Sequence, residues 1–123
     1  MEHSFLFTDI EDSTKKWDLY PEAMKVSLNR HDILVRETIA SHSGTLVKHT
    51  GDGLMAVFRT PDVLECAFQL REALEMEDWS GVDGLHVKIG ISTGEAEMRE
   101  GDYFGTAVNR AARIASAAWG GQI

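Results

Sequence analysis

Phe5-Leu6-Phe7-Thr8-Asp9-Ile10 is a short apolar run that closes on a carboxylate, the pattern of a buried strand presenting an acid at its carboxyl end. Asp12, Ser13 and Thr14 follow and offer helix N-caps. From Pro21, Met24, Leu28, Leu34, Val35 and Ile39 recur at threes and fours, which predicts a long amphipathic helix ending before Gly44. Thr45–Thr50, then Gly51-Asp52-Gly53, then Leu54–Phe58 reads as strand, tight turn, strand, with Asp-Gly supplying positive φ at the hairpin. A second helix runs from Pro61 to about Asp78, on the spacing of Val63, Leu64, Ala67, Leu70 and Leu74. Leu85–Ile91 alternates as a half-buried strand, and the polar Glu95–Glu100 stretch leads to a turn at Gly101-Asp102. Gly105–Trp119 is an alanine-rich helix whose small residues allow close approach to another element. The order strand, helix, strand, strand, helix, strand, helix predicts an α+β or α/β sandwich, with helices on one or both faces of a mostly antiparallel sheet.

The chain has 123 residues, 43% of them hydrophobic, enough for one core, so residues 1–123 are read as a single domain. Twelve basic against 20 acidic side chains leave a net charge of −8, which argues against nucleic acid as a partner because no basic surface is available to displace phosphate counterions. One cysteine, Cys66, cannot form an internal disulfide. With no basic start and long apolar stretch of a signal peptide, and no apolar run near the ~20 residues of a membrane span, the expected compartment is the cytoplasm.

Two aspartates stand out, Asp9 at the end of the first strand and Asp52 at the hairpin tip. Two hard oxygen donors suit Mg²⁺ or Mn²⁺, which complete their shells with water and substrate phosphates. On spacing alone, a helix-capping Asp9 and a turn-forming Asp52 explain the positions equally well. Backbone N–H groups from Ile10 to Thr14, where a helix opens, make a phosphate cradle of a kind found at many strand-to-helix turns. Asn109 and Arg113 share a face of the last helix and can hold a phosphate and a sugar oxygen together, though a surface arginine bonding a nearby carboxylate is the simpler reading of the spacing. No P-loop, no zinc spacing among the five histidines and no nucleophile elbow occurs. Trp17, Trp79 and Trp119 read as packing residues, and Glu72, Glu75, Glu77 and Asp78 as a solvated helix face.

Three strings, Phe7-Thr8-Asp9-Ile10-Glu11-Asp12-Ser13-Thr14, Lys48-His49-Thr50-Gly51-Asp52-Gly53 and Asp102–Arg113, together resemble the catalytic domain of class III adenylate/guanylate cyclases, most of all the bacterial branch with an F-T-D-I-E-G-S-T opening. The resemblance implies a ferredoxin-like α+β cyclase sandwich. It implies that Asp9, Asp52 and the Ile10 carbonyl hold two Mg²⁺ or Mn²⁺ ions per site, that Ile10, Glu11, Asp12, Ser13 and Thr14 form the phosphate cradle, and that Lys48 and Asp102 read the purine. Asn109 and Arg113 become the catalytic pair acting on ribose and α-phosphate. An ammonium and a carboxylate match N1 and the 6-amino group of adenine, which favours ATP. The implied assembly is a head-to-tail homodimer with shared sites. Two departures stand against the pattern. Asp12 takes the place of a glycine, and the chain stops at Ile123, where family members continue through further strands, one with a phosphate-contacting lysine. These departures make the expectation a cyclase domain shortened at its C-terminal end, and leave as an alternative a silent cyclase-like domain that binds nucleotide or a partner.

Overall fold

The computed structural model describes residues 2–59 and 61–123. Strand β1 (Glu2–Ile10) leads into a short helix α1 (Ser13–Leu19) and a long one, α2 (Pro21–Ser41). Strands β2 (Thr45–Thr50) and β3 (Gly53–Phe58) form the hairpin, helix α3 (Val63–Met76) follows, and a single 3-10 turn (Ser80–Val82) precedes β4 (Val87–Glu95). A small hairpin, β5 (Glu97–Arg99) and β6 (Asp102–Phe104), precedes helix α4 (Thr106–Ala117).

The four long strands are ordered β2-β3-β1-β4, with every neighbouring pair antiparallel. This is the α+β sandwich that the sequence predicts, in ferredoxin-like order. Alternation along β1 divides the core in two. Leu6 and Ile10, with Leu54, Ala56, Phe58, Val87 and Ile89, pack under α2 and α3. Phe5 and Phe7, with Met55 and Val57, face Ala107, Val108, Ala111 and Ala115 of α4. The small residues of α4 permit contact with β4 so close that a Cβ on Gly90 would overlap the Ala111 carbonyl and the Ala115 amide.

Several local expectations change. The positive φ of the first hairpin falls on Gly51 (φ 68), not on the Asp52-Gly53 pair. Gly53 is required instead by proximity, because a Cβ there would overlap the Thr8 carbonyl. Strand β4 starts two residues later than predicted and runs to Glu95. The turn after it lies at Glu100-Gly101 (φ 50 and 80) inside the exposed β5–β6 hairpin. Asp12 stands at the start of α1 but makes no side-chain cap, and Asp9 lies within β1 and caps nothing. Trp79 is buried and donates its indole N–H to the Leu74 carbonyl at 2.7 Å, as a packing residue would, whereas Trp119 is 68% exposed. Trp119 lies two residues past the end of α4, with most of its side chain in solvent.

Candidate active site

Continuing the β1–β3 register, in which Thr8 faces Leu54, places Asp9 opposite Gly53 and Asp52 one residue beyond. The close fit of Gly53 on Thr8 holds these two strand ends together. Asp9 alternates onto the α4 side of the sheet. There its Oδ2 lies 3.8 Å from the Lys88 ammonium, which also donates to the Ser116 carbonyl at 3.4 Å. Asp52 sits past the paired residues, so strand alternation does not set its direction; its Oδ1 accepts from the Trp17 indole N–H at 3.2 Å. Each carboxylate therefore keeps one oxygen without a side-chain partner among the described residues. No group of three or more acidic, histidine or cysteine side chains suited to a metal ion occurs among them either. Two carboxylates without a third acidic, histidine or cysteine side chain suit an ion such as Mg²⁺, which fills its octahedron with water and phosphate oxygens.

Asp9 forms part of the wall of two adjoining open clefts. One, of about 340 Å³, lies against Ala112, Ala115 and Ser116 of α4; the other, of about 510 Å³, is lined by Ile10, Asp12, Ser13, Thr14, Lys15, Asp18 and Lys88. The five expected cradle residues are not equivalent. Ile10 belongs to β1 and is buried. The Glu11 N–H is committed to the His86 carbonyl at 2.9 Å, and its carboxylate accepts the Gly120 N–H at 2.9 Å. Asp12, Ser13 and Thr14 remain as the turn that opens α1 into the larger cleft. Asp12 adopts φ 55, ψ 34, the left-handed conformation that glycine takes without strain.

Lys48 and Asp102 meet: the ammonium donates to Oδ2 at 2.6 Å across 54 residues of chain. A β-bulge in β2 makes this possible. Leu46 pairs with Ala56 and Lys48 with Met55, so Val47 is the extra residue. Lys48 is thereby aimed to the Met55 side of the sheet, the side over which β6 carries Asp102. On β6, Tyr103 stacks edge-on against Phe5 at 5.6 Å and fixes the hairpin. The Lys48 hydrogen bond, followed by the Tyr103 backbone N–H at 2.8 Å, holds the Asp102 carboxyl below its ordinary range.

Asn109 and Arg113 occupy the exposed face of α4, opposite the buried stripe Ala107, Ala111 and Ala115. Neither lines the clefts beside Asp9. One chain thus brings the two aspartates to one end of the sheet, pairs Lys48 with Asp102, and leaves Asn109 and Arg113 facing outward.

The family model described as the adenylate and guanylate cyclase catalytic domain matches residues 2–123. The chain belongs to that family. Among curated relatives, an uncharacterized protein of Mycobacterium tuberculosis is 32% identical over 123 residues, covering 98% of this cyclase domain and 41% of the relative. An adenylate cyclase of Podospora anserina is 34% identical over 146 residues, covering 98% of the domain but only 7% of the relative. The domain therefore spans less than half the length of these curated relatives. Among solved structures, an adenylate/guanylate cyclase/hydrolase of Silicibacter pomeroyi superposes with TM-score 0.83 at 29% identity, over 98% of this chain and 73% of that one. A Trypanosoma brucei adenylate cyclase described in its monomeric state gives TM-score 0.88 at 26% identity, over 98% and 71%. No helix among the described residues of the cyclase domain is long and apolar enough to cross a membrane.

Lys88 and Trp17, the two side chains engaged with the aspartates, escaped the sequence reading. Lys88 had a faint signal: the strand's core positions are Val87, Ile89 and Ile91, so a lysine between them must face the other side of the sheet, the side Asp9 faces. Trp17 had none beyond its helix, because its partner lies 35 residues away.

Proposed function

We propose that this domain is an adenylate cyclase, converting ATP to 3′,5′-cyclic AMP and pyrophosphate at sites shared by two head-to-tail copies. The observation that carries the reading is the division of the polar set within one chain. Asp9 lines two clefts that Asn109 and Arg113 do not line, and Asp52 stands at the same end of the sheet; Asn109 and Arg113 project outward, to a position where a second copy can receive them. Asp9, Asp52 and the Ile10 carbonyl are the groups to hold Mg²⁺ or Mn²⁺. Bound there, the ions would lower the pKa of the ribose 3′-hydroxyl and draw charge from the departing pyrophosphate. The 3′-oxygen forms a bond to the α-phosphorus as the bond to the β-phosphate oxygen breaks, and the hydroxyl proton leaves to solvent.

The chain's own groups supply orientation and charge. Lys48 donates to adenine N1 and Asp102 accepts from the 6-amino group. The pair is preformed at 2.6 Å and opens to admit the base edge. Guanine would oppose its O6 to the Asp102 carboxylate, a loss of about 1–3 kcal/mol for each unpaired group. Asn109 orients the ribose. Arg113 stabilises charge that develops on the α-phosphate and so acts mainly in the transition state.

Product identification from ATP and GTP with Mn²⁺, at several protein concentrations, tests the proposal. Cyclic AMP with specific activity rising with concentration is expected; no cyclic nucleotide at any concentration refutes it. Mixing Asp9→Ala with Arg113→Ala chains should restore one intact site per heterodimer. Demonstrated heterodimers without recovered activity refute the sharing.

A further inference from the structure

We propose that Trp17 is a positioning residue that sets the Asp52 carboxylate for binding a divalent cation. This rests on the reading of Asp52 as a cation ligand. Asp52 lies in a two-residue turn, beside the exposed Gly51, where a carboxylate would ordinarily sample several rotamers. The backbone of the turn is held by Gly53 against Thr8, but that contact leaves the side chain of Asp52 free to rotate. The Trp17 indole restrains it, and no other described side chain donates to the Asp52 carboxylate.

An indole suits this task. Its N–H is a donor only, so it can neither flip to offer an acceptor nor compete for the cation. It engages Oδ1 and leaves Oδ2 available. Trp17 is itself fixed, being half-buried against the core beneath α2, while the next residue back, Lys16, donates its ammonium to the Val82 carbonyl at 2.9 Å. Residues 9 to 17 are thus one continuous segment that carries one carboxylate and orients the other. Loss of such an outer partner lowers metal affinity by about 10-fold or more in known sites.

The test uses Mn²⁺ alone, titrated by electron paramagnetic resonance of the free ion, on wild type, Trp17→Phe and Asp52→Ala, with circular dichroism to verify folding. Trp17→Phe should weaken Mn²⁺ binding about tenfold, and in turnover should raise the Mn²⁺ concentration for half-maximal rate while leaving the rate at saturating Mn²⁺ within about twofold. Wild-type Mn²⁺ affinity in a folded Trp17→Phe protein overturns the inference and leaves Trp17 a packing residue. Absence of Mn²⁺ binding by wild type, or equal binding by Asp52→Ala, overturns instead the reading of Asp52 as a ligand. A measurement on the unmodified protein covers a Trp17→Phe chain that does not fold. The indole N–H resonance of Trp17 should move on Mg²⁺ addition while that of Trp79, bonded to the Leu74 carbonyl, stays still; a stationary Trp17 resonance at saturating Mg²⁺ overturns the inference.

Discussion

Replacing Gly90 by alanine adds one methyl group where α4 rests on β4. The new Cβ would lie 3.0 Å from the Ala115 Cα and overlap the Ala111 carbonyl and Ala115 amide. Carbon atoms rest at about 3.5–4.0 Å, so α4 must withdraw by roughly 0.5–1 Å, and a gap of that size forfeits a quarter to a half of each dispersion contact it opens. The obstacles are helix backbone, which cannot rotate away, so the cost belongs at the upper end of overpacking, about 3 kcal/mol. For a domain of this size that lowers Tm by roughly 10 °C. Gly81→Ala is the control, because its Cβ would meet only the Ala23 methyl at an ordinary 3.6 Å. Thermal and urea unfolding followed by circular dichroism would measure both variants. A Gly90→Ala protein that unfolds with Gly81→Ala and wild type would refute the close helix–sheet contact. On the proposed roles of Asn109 and Arg113, both carried by α4, the displacement should also lower turnover, since misplacing reacting groups by about 1 Å can cost on the order of 100-fold in rate.

Burial pushes the Cys66 thiol up to about 11, and its side chain is fully enclosed beneath α2. A thiol-specific chromogenic reagent at pH 8 should therefore react with unfolded chain only; rapid labelling of the native protein would contradict the packing. The Asp102 carboxyl, held down by Lys48, makes a pH-dependent contribution that is fully present above the ordinary aspartate value of 3.8 and disappears as pH falls through the lower folded value. Carbon NMR of the Asp102 carboxyl should give a midpoint below 3.8 in wild type and one returned toward it in Lys48→Met; equal midpoints would show that the pair does not persist in solution.

The layered fold was legible because its long elements obey their periods. Apolar threes and fours mark α2 and α3, an unbroken apolar run marks β3, and alternation marks the first half of β4. What was hidden depends on partners distant in the chain or on single backbone angles. The β5–β6 hairpin has three exposed residues in β5 and no apolar stripe to betray it. The bulge at Val47 leaves no trace in a pattern of alternation, yet it decides which side of the sheet Lys48 faces. The glycine of the resembled motif at position 12 has its reason in the left-handed turn there, a conformation visible only in coordinates. Aspartate tolerates that region better than most residues with a Cβ. Of the candidate site, the aspartates and the Lys48–Asp102 pair were found by motif, whereas Trp17, Lys88 and the engaged Glu11 required the tertiary structure.

Glu11 has a mechanical consequence. Its carboxylate grips the Gly120 amide while Gly121 and Gln122 exchange backbone bonds with Val87 and Ile89 along the edge of β4. Tension applied to the segment beyond α4 would therefore be shared between β4 and, through the Glu11 side chain, a point two residues from Asp9, so that whatever tugs on residues 120–122 has a lever on the mouth of the larger cleft.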